Sequence, residues 1–204
     1  MKVAAPIVLA CFTIAFTLSA TGWFERFSSA QLFGMGTFLS SGGFVVLYWL
    51  SEKFRLFLRR RSLKRLTLAQ TLRFYGVLAL VKTHQHVLPA VFAVPTGLID
   101  IAFAITSFFV AARLVDSQGK INRGFVAWHA AGLAGLAISV TLAVLTSSAR
   151  FGVVDAAHTS QPMTWFPMSL VPVFIGPMVL IFHLLALAGA YGGMANYQPK
   201  PSLK

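Results

Sequence analysis

Ser51–Arg73 reads SEKFRLFLRRRSLKRLTLAQTLR. It holds eight of the seventeen basic residues against one acid, Glu52. Apolar, nearly uncharged runs flank it on both sides, so it cannot share their hydrocarbon environment. A short loop this rich in Lys and Arg is retained on the cytoplasmic side and orients every segment around it. The stretch therefore makes this chain a multi-pass membrane protein.

Composition agrees. The chain is 57% hydrophobic and 11% charged, with five acids in all, whereas a soluble domain carries about 25% charged residues. A net charge of +12 suits nucleic acid only on a soluble basic face, and apolar runs of bilayer length stand in its place here. Nucleic acid is thus excluded as a partner. The basic segment 51–71 is expected to meet anionic lipid headgroups through Lys53, Arg55, Arg59, Arg60, Arg61, Lys64 and Arg65. Each such contact is worth about 1 kcal/mol near the surface. The lone cysteine, Cys11, rules out an intrachain disulfide or a thiolate-clustered metal.

Six spans are read outward from the basic segment, at about 3–24, 31–50, 72–87, 88–115, 125–146 and 168–191. They form a single transmembrane domain over 1–204, an all-α bundle. The first span resembles a signal peptide, and five spans remain if it is cleaved. Its Trp23-Phe24 end suits a headgroup belt and favours a retained helix. With six spans and both termini inside, fourteen basic residues lie in the cytoplasm and Arg26, Lys82 and Arg150 outside; if residues 72–86 are instead a cytoplasmic re-entrant piece, five spans split them eleven to six. The first arrangement obeys the positive-inside rule better. Pro89, Pro95 and Gly97 are expected to kink or partly unwind the outer half of the fourth span. On the fifth, Ala127, Ala131, Gly135, Ser139 and Ala143 recur every four residues and predict a close helix–helix contact.

The run from about Leu72 to Ala190 resembles a group of uncharacterised bacterial multi-pass membrane proteins. The likeness is carried by Leu88-Pro89, Phe92-Ala93-Val94-Pro95-Thr96-Gly97, Asp100, Trp128, Gly132-Leu133, Leu170-Val171-Pro172, Pro177 and His183-Leu184. It implies a bacterial inner-membrane location and no catalytic activity. Where that pattern tends to have Asn after the Trp and Asp a few residues on, this chain has His129 and Gly135.

Ionisable side chains inside spans are functional candidates. Asp100, His183 and His129 fall at similar depths, counted at about 1.5 Å per residue. Thr96, Asp100 and Ser107 share a helix face that should look into the bundle. Three readings of this trio stay open. Asp100 and His183 hydrogen-bond to each other and pin the packing; Asp100 serves a proton-coupled or small-solute permease; or His129 and His183 ligate a b-type haem. Outside the spans, His84, His86 and His158 are weak metal candidates set against a solvated polar turn. No Gly-x-Ser-x-Gly, HExxH, phosphate-loop or CxxC motif is present, which argues against an enzyme. The leading expectation is a non-enzymatic membrane subunit, without a cofactor, that packs against itself or other membrane proteins.

Overall fold

The structure, a computed structural model, describes residues 4–59, 62–114, 122–149, 152–153 and 158–195. Its elements are helical throughout: α1 (Ala4–Ala20), α2 (Ser29–Leu50), α3 (Glu52–Arg59), α4 (Leu63–Leu68), α5 (Gly76–His84), α6 (Ala90–Arg113), α7 (Arg123–Leu145) and α8 (Gly176–Ala195). Four helical stretches are long and apolar enough to cross a membrane: Ser29–Leu50, Ala90–Arg113, Arg123–Leu145 and Val171–Tyr191. The chain is a membrane protein on that ground. Helix α1, with 17 residues, sits at the lower limit of about 17 residues for a span.

Helix starts follow local chemistry. Ser28 and Gln31 form a reciprocal capping box on α2, and the Asn122 side chain accepts from Phe125 N at the start of α7. Both satisfy N–H groups that a helix end leaves open. Arg55 donates to the carbonyls of Tyr48 and Trp49 at the opposite end of α2.

The third predicted span is displaced. Helix α4, a 3-10 segment (Ala69–Tyr75) and α5 follow one another without a break over 63–84. This leg packs antiparallel along α6. The expected span began at residue 72, because Lys64, Arg65, Gln70 and Arg73 depress the hydropathy of the first half. In the structure the polar residues of that half divide by face. Lys64 and Arg65 are exposed, while Thr67, Gln70 and Arg73 are fully buried. A 3-10 helix has three residues per turn, so Thr67, Gln70, Arg73, Gly76 and Ala79 stay on one inner face.

The two ends of the bundle differ. At one end, loops 21–28 and 85–89 meet the described residues between 146 and 170. Ser29 Oγ lies 2.8 Å from Ser160 Oγ, Gln161 donates to Phe27 O at 2.8 Å, and His86 and His158 border one surface depression. At the other end Leu66, Val110, Phe125, Ala186 and Ala190 cluster. That second end carries Lys53, Arg55, Lys64, Arg65, Arg113 and Arg123, the first only Arg26 and Lys82, among the described residues.

Two prolines sit differently in their helices. Helix α6 runs unbroken through Pro95: the bulk of α6 packs on 63–84 and α7, and the lost bond lies near its free first turns. Irregularity appears instead before α8, where a π-helical turn (Val171–Ile175) carries Pro172 and leads into Gly176-Pro177.

Candidate functional site

Between 63–84, α6, α7 and α8 lies a closed polar cluster. Arg73, Asp100, His129, His183, Thr67 and Gln70 all have no exposed surface. Arg73 sits on the 3-10 segment and faces Asp100 where the hairpin is tightest. A Cβ on Gly76 would meet Gly97 O at 2.7 Å, and one on Gly97 would meet Gly76 O at 2.8 Å. Two glycines let the backbones approach, and the ion pair forms one turn further in.

Arg73 Nε and Nη2 converge on a single oxygen, Asp100 Oδ1, at 2.8 and 2.7 Å. The Tyr75 hydroxyl turns to the same carboxylate, but Oδ2 has no partner of good hydrogen-bond geometry. Arg73 Nη1 reaches Gly132 O at 3.4 Å and His183 Nε2 at 3.3 Å. The guanidinium carbon also lies 4.5 Å from the centre of the Phe103 ring, a cation–π distance.

The direction of the remaining bonds follows from what each group can do. Guanidinium only donates, so His183 Nε2 accepts. In a neutral ring Nδ1 of His183 then carries the proton and donates to His129 Nδ1 at 2.8 Å. His129 Nε2 in turn donates to Thr67 Oγ1 at 3.2 Å, and Thr67 donates to Leu63 O at 2.9 Å. One chain of donors therefore runs from Arg73 through both imidazoles to a backbone carbonyl. Gly132 makes it possible, since a Cβ there would stand 2.2 Å from the His183 ring. Trp128 closes the cluster, 4.9 Å from His129 and 5.8 Å from His183 between ring centres, with its N–H on Thr106.

Residues 27–190 match the family described as a domain of unknown function, DUF8737. The chain belongs to this family. The DUF8737 match takes in α2 to α7 and α8 as far as residue 190, and with them every residue of the cluster, while α1 precedes it. No curated protein and no solved structure matches the chain.

The residues singled out from the sequence distribute unevenly around this centre. Asp100, His129 and His183 do meet, yet the carboxylate bonds Arg73, and His183 reaches the pair only through that guanidinium. Thr96 is buried one turn from Asp100 with its hydroxyl unpartnered. Ser107 is buried too, but it bonds the carbonyl of Ala104 in its own helix. Of the α7 stripe, Gly135, Ser139 and Ala143 are buried, whereas Ala127 and Ala131 are exposed. A four-residue step overshoots the 3.6-residue turn, so the stripe winds off the packed face. Of the headgroup set, Lys53, Arg55, Lys64 and Arg65 lie at the basic end; Arg59 closes α3, and Arg60 and Arg61 lie outside the described residues.

Haem does not fit the histidine pair. Two axial imidazoles must stand on opposite faces of the macrocycle with iron between them, and here the Nδ1 atoms bond each other directly. His86 and His158 share a shallow surface depression with Trp165, and His84 ends α5. Among the described residues no group of three or more His, Cys, Asp and Glu could hold a metal ion. Arg73 is what sequence reasoning missed. Its signal was the three-residue spacing Thr67, Gln70, Arg73, hidden inside a run of surface-type charge.

Proposed function

We propose that this protein is a non-enzymatic membrane subunit whose internal cluster is a structural clamp. Its six helical legs cross the inner membrane of a bacterium, with the basic end and both termini in the cytoplasm. The observation that carries the reading is the Arg73–Asp100 pair, in which two fully buried charges are matched to one another. A carboxylate gripped by two guanidinium nitrogens is committed to one geometry and is poorly placed to shuttle protons. The partner surface is the outer face of α2. A Cβ on Gly42 or Gly43 would touch nothing within 4 Å, beside exposed Phe38, Leu39 and Val46. Small residues in a membrane helix admit a second backbone, from another copy or another membrane protein.

A permease using Asp100 is the second reading, supported by the unpartnered Oδ2 and Thr96 hydroxyl. One experiment separates the two. The double variant Arg73→Met with Asp100→Leu removes both charges together, which buried pairs often tolerate. Under the clamp reading it inserts, assembles and resists heat about as well as the parent, and neither protein carries protons down a pH gradient in vesicles. Proton flux in the parent that disappears in the double variant establishes the permease instead.

A further inference from the structure

A cavity of about 430 Å³ lies beside the cluster, among α2, α5, α6, α7 and α8. Cavities that hold small ligands run from about 300 to 1,000 Å³. It is elongated. On α8 and the turn before it the lining runs from Val171 to Leu184, about 20 Å at 1.5 Å per residue. Most of the wall is apolar, with Phe92 and Leu180 as examples.

Six hydroxyl-bearing residues interrupt that wall, and three of them, Tyr75, Thr96 and Ser139, come from three different helical legs. Thr96 is 6% exposed, and its Oγ1 has no partner. Ser139 donates to Gly135 O and keeps its acceptor positions free. Tyr75 lies between the cavity and the Asp100 carboxylate. Each is six to nine residues from the loop end of its own helical leg, so their levels differ by no more than about 5 Å. The charges behind them, Arg73 and Asp100, cancel. A charged head would enter with no counter-ion to meet it, and a neutral head needs none.

The way in is also defined. Of the lining residues, Ala137 and Thr141 of α7 are exposed, opposite half-buried Thr37 and Ser41 of α2. All four lie within helices long enough to cross a membrane, Thr37, Ser41 and Ala137 well inside them. The mouth therefore opens sideways between α2 and α7, towards hydrocarbon. What reaches it must dissolve in lipid.

From this geometry we infer that the cavity is a binding site for a slender, lipid-soluble molecule with a neutral carbonyl or hydroxyl head. The head takes the Thr96 hydroxyl as donor and the tail lies along α8 towards Leu184. Fatty alcohols and chain-bearing quinones share this chemistry. The site is independent of the clamp reading, because the Thr96 hydroxyl that receives the head is one the clamp leaves unused.

The test is photolabelling of the full chain in vesicles with a long-chain alcohol that carries a diazirine on its tail. Label is expected on cavity residues such as Leu180 and not on the outward face of α6 at Leu98. Competition by 1-decanol and by a decyl-substituted benzoquinone distinguishes a hydroxyl from a carbonyl source. Decanoate, decylamine and decane should compete about tenfold less well, the equivalent of one good hydrogen bond. Ala137→Phe, at the exposed mouth, should abolish cavity labelling. Thr96→Val should weaken the alcohol about three- to tenfold and leave decane unchanged. Label spread evenly over the lipid face, equal competition by charged heads, or labelling that survives Ala137→Phe each overturns the proposal. Because wild-type mapping needs no variant, a misfolded Ala137→Phe protein leaves the question answerable.

Discussion

Arg73 and Asp100 are each untenable alone. A charge at the centre of a membrane helix costs about 2.5–3.5 kcal/mol on insertion scales, and removing one member of a buried pair costs about 3–5 kcal/mol. If Asp100 bonded only His183, Asp100→Asn would be a mild change that keeps that bond. With both guanidinium nitrogens on Oδ1, Asn leaves a buried cation unmatched, and the single variants should be far worse than the double. Gly132 belongs to the same chemistry. Its replacement by Ala puts a methyl group 2.2 Å from the His183 ring and drives the imidazole off Arg73 and His129. A loss of about 1–3 kcal/mol follows from overpacking, to be read as a fall in thermal midpoint in detergent, with unchanged stability as the contrary result. Asp100, His129 and His183 were legible because each is a polar residue in an apolar run. Arg73 was not, because seven other basic residues surround it and hydropathy averages over a window.

At the scale of elements, the decisive contact is the hairpin of 63–84 with α6. The shared glycine crossing sets its spacing, and the ion pair sets its register. Gly76→Ala would place a methyl group 2.7 Å from both Gly97 O and the Asp100 Cβ, neither of which is a flexible tip. We expect about 1–3 kcal/mol of destabilisation and a stretched Arg73–Asp100 bond. Gly42 supplies the control, since its Cβ would meet nothing within 4 Å. Gly42→Leu should leave the thermal midpoint of the monomer unchanged and reduce crosslinked oligomer or co-purified partner. Equal oligomer in both proteins would remove α2 as the partner surface. The helical class and the four long helices could be read from hydropathy and spacing. The hairpin's start at residue 63 could not, because a buried polar face and an exposed basic face have the same composition when the partner helix is unknown.

For the whole molecule, strand order is replaced by direction. Ser29 at the start of α2 bonds Ser160, and His86, just before α6, borders the same loop through His158. Helices α2 and α6 thus run the same way, and both are long enough to cross. Two parallel crossings need a return between them, and 63–84 is the only chain that joins them apart from α3 and the residues beside it. With α7 and α8 alternating, the proposed bundle has five crossings in these legs. Its sixth leg is α1, where Ser19 bonds Ser169 next to the loop end and Phe12 packs on Phe174 at 5.3 Å. Single cysteines test this directly. Those at Lys53 and Ser202 should react only from the cytoplasmic side, and those at Gln85 and His158 only from the other. The basic end, which carries most of the Lys and Arg, sets which side is which. Gln85 is the informative position, because it sits in the turn between α5 and α6. If it labels from the same side as Lys53, the leg 63–84 enters the membrane and returns, α6 must cross in the opposite sense from α2, and the bundle described above cannot be the membrane-inserted form.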